Sequence, residues 1–487
     1  MNKLPIIKPF INSNLFDDLC ISSITDDSRD VQENSLFIAR QGVGSHGNEF
    51  IGDAIQKGAS CIITDRELGE QVDIPILYLE NLEEKILKIL FSFYDLSEDD
   101  FVFHGVTGTN GKTTTAFIAH NIIRALNKPS VYIGTLGAMV NDNLLKTKGN
   151  TTPGIFEIFQ ILKICKFHQK ISIFIEISSH ALAQKRLRNL PFSQTLLLNI
   201  QSDHLDYHKT ESNYIDAKLS IIELNNKNPT IIFIDKIQDL LKNFSDDQKK
   251  QLSKSQFLSS TDTSAAFKYS LEYNPSGSSN IKLSFPNLCL DTQVSLFLKY
   301  NVENYISAIA LIAGQIFLDE FEIVRSDSIM LPQGRGEILK LREGNILIDF
   351  AHDHQSIKNI LSELANYHDE IILVFGCGGD RDKSKRSKMM KIAQDFASKI
   401  FFTSDNNRYE PFSSIVKDAM AGNSYTSIEI LEDRKEAINL ALQCLNKENI
   451  LVILGKGHET YMDVSGKKVP FNDKDCVLEI LDNEINK

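Results

Sequence analysis

The stretch GVTGTNGKTTT, Gly105 to Thr115, constrains this chain more than any other. Phe101, Val102 and Phe103 before it read as a strand, and Phe117, Ile118, Ile122, Ile123 and Leu126 after it recur at helical spacing. The glycines and Lys112 therefore fall on a strand-to-helix turn, the context in which such a loop cradles phosphate. Gly108 and Gly111 let the backbone turn its N–H groups inward, and the new helix directs unpaired amides at the anion. Lys112 adds a point charge, and the Thr113 hydroxyl is suited to Mg²⁺. Val106 stands where the general pattern has its first glycine, so the loop is a subtype with the core GTNGKT.

A chain of 487 residues exceeds one ordinary core, and its length fits about three domains. The net charge of -12 argues against nucleic acid or an anionic membrane as partner, so phosphate must be held by local sites. The seven cysteines are too scattered for a disulfide framework or a zinc cluster, which fits a reducing cytoplasm. The opening, with Pro5 and Pro9, lacks the shape of a signal peptide. No run reaches the length of a membrane span. The polar stretches SDDQKKQLSKSQ and NPSGSSN read as surface loops.

Taken in order, residues 1–97 alternate strand-like runs (SLFIA, SCIITD, ILYLE) with helical stretches, a small α/β unit. Its polar segment around Ser28 and the Gly42–Gly47 turn suits either a polar ligand or plain surface. The second unit, 98–330, opens with the phosphate loop. In GNTTPG, Thr152 before Pro153 forms a good N-cap and N1 pair for a helix near Ile155, so capping alone could explain it. Glu176 ends the apolar strand ISIFIE, where a carboxylate is costly unless it is paired or binds a metal. His204 follows the strand TLLLNI, on the edge where open α/β sheets bind ligands. Lys218, in the helical YIDAKLSII, reads on residue physics alone as a solvated charge. The third unit, 331–487, holds four strand-like runs separated by helical patterns, which predicts a parallel sheet. After them come AHDH, GCGGDRDKSKR, DNNR and GKGHE, four polar clusters on one sheet edge. That edge is expected to face the phosphate loop across a cleft.

Together GTNGKTTT, EISSHAL, NIQSDHLDYH, YIDAKL, FGCGGDRDKSKR, DNNR and GKGHE resemble the Mur ligases, in order and over nearly the whole chain. The resemblance is to the branch that extends UDP-N-acetylmuramoyl-L-alanyl-D-glutamate. It implies an α/β protein of three domains: a UDP-binding one, a central ATPase with a mainly parallel sheet, and a Rossmann-like one for the incoming amino acid.

By the same resemblance, ATP is a co-substrate held by Gly108, Thr109, Asn110, Gly111, Lys112, Thr113 and Thr114, with Asn301, Asn304, Arg335, Asp349 and His352. Two Mg²⁺ ions are expected on Thr113, Glu176, His204 and Lys218, the lysine as an N-carbamate, which reverses the residue-level reading of Lys218. Lys112, Glu176, His204 and Lys218 would be catalytic. Asp26, Ser28 and the Val43, Gly44, Ser45 turn match the uridine site, while Asn150, Thr151, Thr152, Ser178, Gln184 and Arg186 match contacts to the muramoyl peptide. Arg381, Asp405, Asn406, Asn407, Arg408, Gly455 and Glu459 match the amino-acid site. In the family DNPR accompanies meso-diaminopimelate, whose second carboxylate an arginine can hold bidentately. Here Asn407 replaces the proline and Arg408 is kept, so diaminopimelate is expected, with Glu459 suited to its distal ammonium. In AHDHQSI, Asp353 and His354 stand near a helix start where relatives carry proline. A lysine-adding or folate polyglutamate ligase is the alternative within the class, and an ATPase motor or switch the alternative outside it. A monomer without membrane insertion is expected.

Overall fold

A computed structural model describes residues 2–3, 20–69, 72–140, 143–165, 169–201, 203–225, 227–274, 278–315, 330–424 and 426–485. The opening with Pro5 and Pro9 lies outside them. Contacts gather the chain into two compact units. One is Met1–Lys268 with Ser284–Leu288 and Ser307–Val324; the other is Tyr269–Leu283, Cys289–Ile306 and Arg325–Lys487.

In the first unit, strands β1 (Ser23–Thr25), β2 (Ser35–Ala39), β3 (Ala59–Thr64) and β4 (Ile76–Tyr78) form a parallel sheet in that order. One face packs Phe37, Ala39 and Ile62 on Ile51 and Ala54 of the following short helix. The other face, with Ile38 and Ile63, joins Ile86, Phe93 and Phe159 in a core shared with the larger sheet. That shared core places both sheets in one unit.

The larger sheet contains β5 (Phe101–Thr107), β6 (Ser130–Gly134), β7 (Ile171–Glu176), β8 (Phe192–Leu197), β9 (Ile231–Phe233) and β10 (Gln256–Ser259). They run parallel in the order β6-β7-β5-β8-β9-β10. The phosphate loop joins β5 to helix α1 (Lys112–Ala125). Strands β5 and β7 are central and covered on both faces, which is why they read as continuous apolar runs. TLLLNI, expected as strand to its end, leaves the sheet after Leu197. SDDQKKQLSKSQ is not a loop: Asp246–Leu252 is a helix, begun by a capping box between Ser245 and Gln248.

The second unit carries β11 (Arg335–Lys340), β12 (Asn345–Asp349), β13 (Glu370–Phe375), β14 (Lys399–Thr403), β15 (Ile428–Leu431) and β16 (Asn449–Leu454), ordered β11-β12-β16-β13-β14-β15. All pairs are parallel except β11 with β12. Ile371, Leu373 and Phe375 face one core, Ile372 and Val374 the other, so helices cover both sides. The clusters AHDH, GCGGD, DNNR and GKGHE all leave the carboxyl ends of these parallel strands. The helix after AHDH, His354–Leu364, needs no proline: Asp353 caps it, accepting from Gln355 N and Ser356 N at 2.9 and 3.0 Å.

Candidate active site

Gly111 has φ +85°, open to glycine without strain, and precedes α1 with no side-chain cap. The first amides of α1 thus have no capping side chain, as an anion site requires. The loop is shaped from outside. Asn199 Oδ1 accepts from Thr109 N and Asn110 N, both at 2.9 Å, and Tyr214 Oη lies 2.8 Å from Thr109 Oγ1. Gln201 binds Asn110 Nδ2 at 2.9 Å through its Oε1. Asn199, Gln201 and Tyr214 were missed as contributors, although the first two lie in the recognised NIQSDH stretch and the third opens the recognised YIDAKL.

Lys112 Nζ donates to Gly108 O and Thr109 O, each at 2.8 Å. Lys218, only 1% exposed, donates to the same Gly108 O at 2.7 Å and to Thr107 Oγ1 at 3.2 Å. Lys218 is therefore no solvated charge. Burial, and then the nearby charge of Lys112, holds its ammonium well below the ordinary lysine range. A neutral buried amine is the form that combines with carbon dioxide, so this side chain fits the carbamate that the resemblance implies.

Glu176 is fully buried at the end of β7. It accepts from Thr113 Oγ1 at 2.9 Å, Thr135 N at 3.0 Å, Thr135 Oγ1 at 3.1 Å and Tyr132 Oη. All four donors are neutral. A fully desolvated carboxylate among neutral donors, touching the loop threonine, suits a divalent cation. His204 sits at φ +51°, half-exposed, with its Nε2 3.4 Å from Asp203 Oδ2. Burial and then His180 and Lys112, against the pull of Asp203, lower its pKa, which favours the neutral ring that a metal ligand must present. Among the described residues, no three His, Cys, Asp or Glu side chains converge on one point, so Glu176 and His204 do not form a ready cage.

The muramoyl-peptide candidates meet beside Glu176. Thr152 Oγ1 donates to Glu176 O at 2.8 Å and accepts from Ser178 N at 2.9 Å. Thr152 is thus not the N-cap; Gly154 holds that position, and the hydroxyl ties two strand-end loops instead. Arg186 donates to Thr152 O and Gln184 Oε1, both at 2.8 Å, and Thr135 Oγ1 reaches Thr151 Oγ1 at 3.3 Å. Asn150 is exposed next to them. Of the uridine candidates, Asp26 is engaged by Arg40 at 2.8 Å, Ser28 is buried, and Val43 and Gly44 are exposed in a turn closed by Gly42 N donating to Ser45 O at 2.9 Å.

In the second unit Asp349 is buried and accepts from Ala351 N at 2.7 Å and Tyr300 Oη at 3.0 Å; burial raises its pKa. The Arg335 guanidinium lies 4.3 Å above the Phe350 ring, and His352 Nδ1 is 2.9 Å from Phe350 O. Asn301 is fully buried against Gly336, its Nδ2 bonded to Phe297 O at 3.2 Å and its Oδ1 without a partner; Asn304 is one turn further on. Asn406 Nδ2 donates to Glu459 Oε2 at 2.8 Å, and Lys456 Nζ reaches the same oxygen at 2.7 Å. Glu459 thus already holds an ammonium, that of Lys456. Asp405 and Asn407 are buried, Asn407 donating to Ser404 Oγ at 3.1 Å, and Arg381 is exposed. Gly455, at φ +114°, lies so close to Asp405 that a Cβ there would stand 2.6 Å from Oδ2. Arg408, at φ +51°, is fixed by its N–H to Asp463 O at 2.9 Å and by Nη1 to Gly379 O at 2.6 Å.

Sequence comparison agrees with this arrangement. "Mur ligase family, catalytic domain" matches residues 20–86, "Mur ligase middle domain" 106–312, and "Mur ligase, glutamate ligase domain" 334–457. The chain belongs to the Mur ligase family. As a Mur ligase it is an ATP-dependent amide-forming enzyme with the family's three domains. It is 31% identical over 462 residues (92% of this chain, 91% of the relative) to the UDP-N-acetylmuramoyl-L-alanyl-D-glutamate--2,6-diaminopimelate ligase of Fusobacterium nucleatum. It is 30% identical over 486 residues, 97% of both chains, to the protein of that name from Listeria monocytogenes serotype 4b. A solved structure with the same enzyme name aligns at TM-score 0.67 and 26% identity over 98% of each chain. The MurF ligase of Thermotoga maritima in complex with ADP shares the fold at TM-score 0.58 and 16% identity, over 96% of this Mur ligase and 99% of that chain.

Proposed function

We propose that this Mur ligase adds meso-diaminopimelate to UDP-N-acetylmuramoyl-L-alanyl-D-glutamate, in the cytoplasm and as a monomer. We further assign the UDP moiety to residues 1–97, ATP to 98–330 and the amino acid to 331–487. The observation that carries the amino-acid choice is Arg408. It is half-buried, fixed in the loop after β14, and among the described residues no carboxylate of the protein pairs with it. Its neighbours Arg386 and Arg434 are both paired, to Glu410 at 2.7 Å and to Asp473 at 2.7 Å. A half-buried guanidinium without an internal counter-ion suits a carboxylate on the ligand, which diaminopimelate has at its far end and lysine lacks. Bonding of Arg408 to Asp463 and Gly379 supplies the rigidity that the missing proline would have given.

The chemistry is transfer of the γ-phosphoryl of ATP to the precursor carboxylate, followed by attack of the amine on the acyl phosphate with release of phosphate. Two anions must approach, so charge neutralisation governs the first step. The uncapped amides of α1 and the ammonium of Lys112 receive the phosphates. Glu176 with Thr113, and His204 with carbamylated Lys218, would hold Mg²⁺, which supplies further neutralisation of phosphoryl and carboxylate oxygens. Thr152, Ser178 and Arg186 orient the precursor beside Glu176.

Phosphate release measured with the UDP-linked dipeptide and a panel of amino acids tests this reading. Release should require precursor and diaminopimelate together. Equal turnover with L-lysine would overturn the amino-acid assignment, and equal release from ATP alone would overturn the coupling of phosphoryl transfer to both co-substrates.

A further inference from the structure

Arg434 opens helix α2 (Arg434–Leu442) directly after its N-cap, Asp433. A cation in a first turn opposes the helix dipole, and this side chain is buried with 1% exposure, where a charge is costly. Helix stability does not account for it. Its Nε and Nη2 grip the Asp473 carboxylate at 2.7 and 2.9 Å, and both side chains are fully buried. Its remaining bonds go to two backbone carbonyls, Nη1 to Ser404 O at 3.2 Å and Nη2 to Leu454 O at 2.9 Å.

Those carbonyls stand at the roots of the two loops of interest. Ser404 precedes Asp405 to Arg408, and Leu454 precedes Gly455 to Glu459. Their strands, β14 and β16, are separated by β13, so no ladder hydrogen bond couples the two roots. Arg434 spans that gap beneath the sheet edge. A second link comes from the residue before Asp473: Asn472 Nδ2 donates to Glu459 O at 3.0 Å. Above, the loops touch through Asn406, Lys456 and Glu459, where ångström shifts would change the pocket.

We propose that Arg434, oriented by Asp473, is a positioning residue that fixes the separation of the Asp405–Arg408 and Gly455–Glu459 loops and thereby sets the fit of the amino-acid substrate. The proposal rests on reading those loops as the amino-acid pocket. A buried ion pair is weak evidence for stability in itself, so a role in geometry is the better account of it.

The test is Arg434→Lys, whose single ammonium can keep Asp473 but cannot also reach both carbonyls. KM for diaminopimelate should rise at least tenfold, while KM for ATP and for the UDP-linked precursor stays within twofold. Asp473→Asn, which leaves the guanidinium in place but loosely held, should show the same split with a smaller rise, and it serves if Arg434→Lys does not fold. Unchanged KM values in a folded variant, or a parallel change for all three substrates with a lowered melting temperature, would overturn the proposal. Arg408→Ala is measured alongside. If it leaves KM for diaminopimelate unmoved, the pocket reading fails; if it raises that KM while Arg434→Lys does not, only the positioning role fails.

Discussion

Glu176→Gln separates two reasons a carboxylate can be buried. If Glu176 is structural, the amide should cost stability; if it is kept for a cation, stability should hold while activity collapses. Oε1 accepts from Thr135 N and from Tyr132 Oη, and Oε2 accepts from the Thr113 and Thr135 hydroxyls. Glutamine can place its oxygen toward Thr135 N and its NH₂ toward the two threonines, because hydroxyls can turn and accept. Exchanging the four charge-assisted bonds for neutral ones costs about 1 kcal/mol each. Removing a fully buried negative charge that sits among neutral donors returns several kcal/mol, on the order of the penalty for desolvating one ion. The two nearly cancel. The variant should melt within about 4 °C of wild type, or above it, given roughly 2–4 °C per kcal/mol for a unit of this size.

Catalysis should fall at least about 100-fold, the scale for losing one preorganised electrostatic group. The added thermal stability that Mg²⁺ and a non-hydrolysable ATP analogue give wild type should also shrink. Thermal melts with and without Mg²⁺ and analogue, beside phosphate release, check both halves. A melting point more than about 6 °C lower, with turnover and Mg²⁺ dependence retained, would show that the carboxylate is there for packing.

Gly134→Ala should act on the same group from the strand next to it, because a Cβ at that position collides with the Glu176 carboxyl and Tyr132 Oη; a loss of about 1–3 kcal/mol and of most activity is expected in melts and turnover assays. Lys218→Ala should abolish most activity and recover part of it when a short carboxylic acid is supplied, with full activity in the plain variant as the refuting outcome. His104 stacks 4.9 Å from Phe174 with its Nδ1 unpartnered, and burial, against the hydrogen bond of Gln315, depresses its pKa to about 4. The unfolded chain therefore binds the extra proton between that value and the ordinary 6.5, so stability falls as pH drops through this window, by about 2 kcal/mol at pH 5. Urea unfolding at pH 7 and pH 5 should show that difference reduced in His104→Leu, and an unchanged difference would refute it.

Much of this was legible because buried parallel strands leave a simple mark. IFI, ILVF and LVIL are continuous apolar runs that lead into chemistry-bearing residues, and the structure places those residues at carboxyl edges. What was not legible depended on partners distant in sequence. Thr152 beside Pro153 looks like a cap, yet its hydroxyl goes to Glu176 O, 24 residues away. Lys218 looks solvated on its own helix and is buried only because Thr107 and Gly108 lie against it. β11 was missed because an antiparallel edge strand has one half-open face and no apolar run. The helix from Asp246 was misread although Ser245 and Gln248 carry its capping box in plain sight.

The two lysines at the phosphate loop show how such a partner changes a residue's meaning. Gly108 O accepts from both Lys112 and Lys218, so two ammonium groups are drawn to one carbonyl. Lys112 is part-buried and two of its bonds end on loop carbonyls, which an arriving phosphate oxygen can replace at little cost. Lys218 has no such exchange open to it, because its side chain is 1% exposed and its second bond goes inward to Thr107. Keeping both as cations would set like charges together beneath the nucleotide, and burial makes Lys218 the one to lose its proton. On the proposed reading, the same loop sorts two identical side chains into a part-buried ammonium that receives phosphate and a buried neutral amine that fits a carbamate. That division of roles follows from burial first and from the neighbouring charge second.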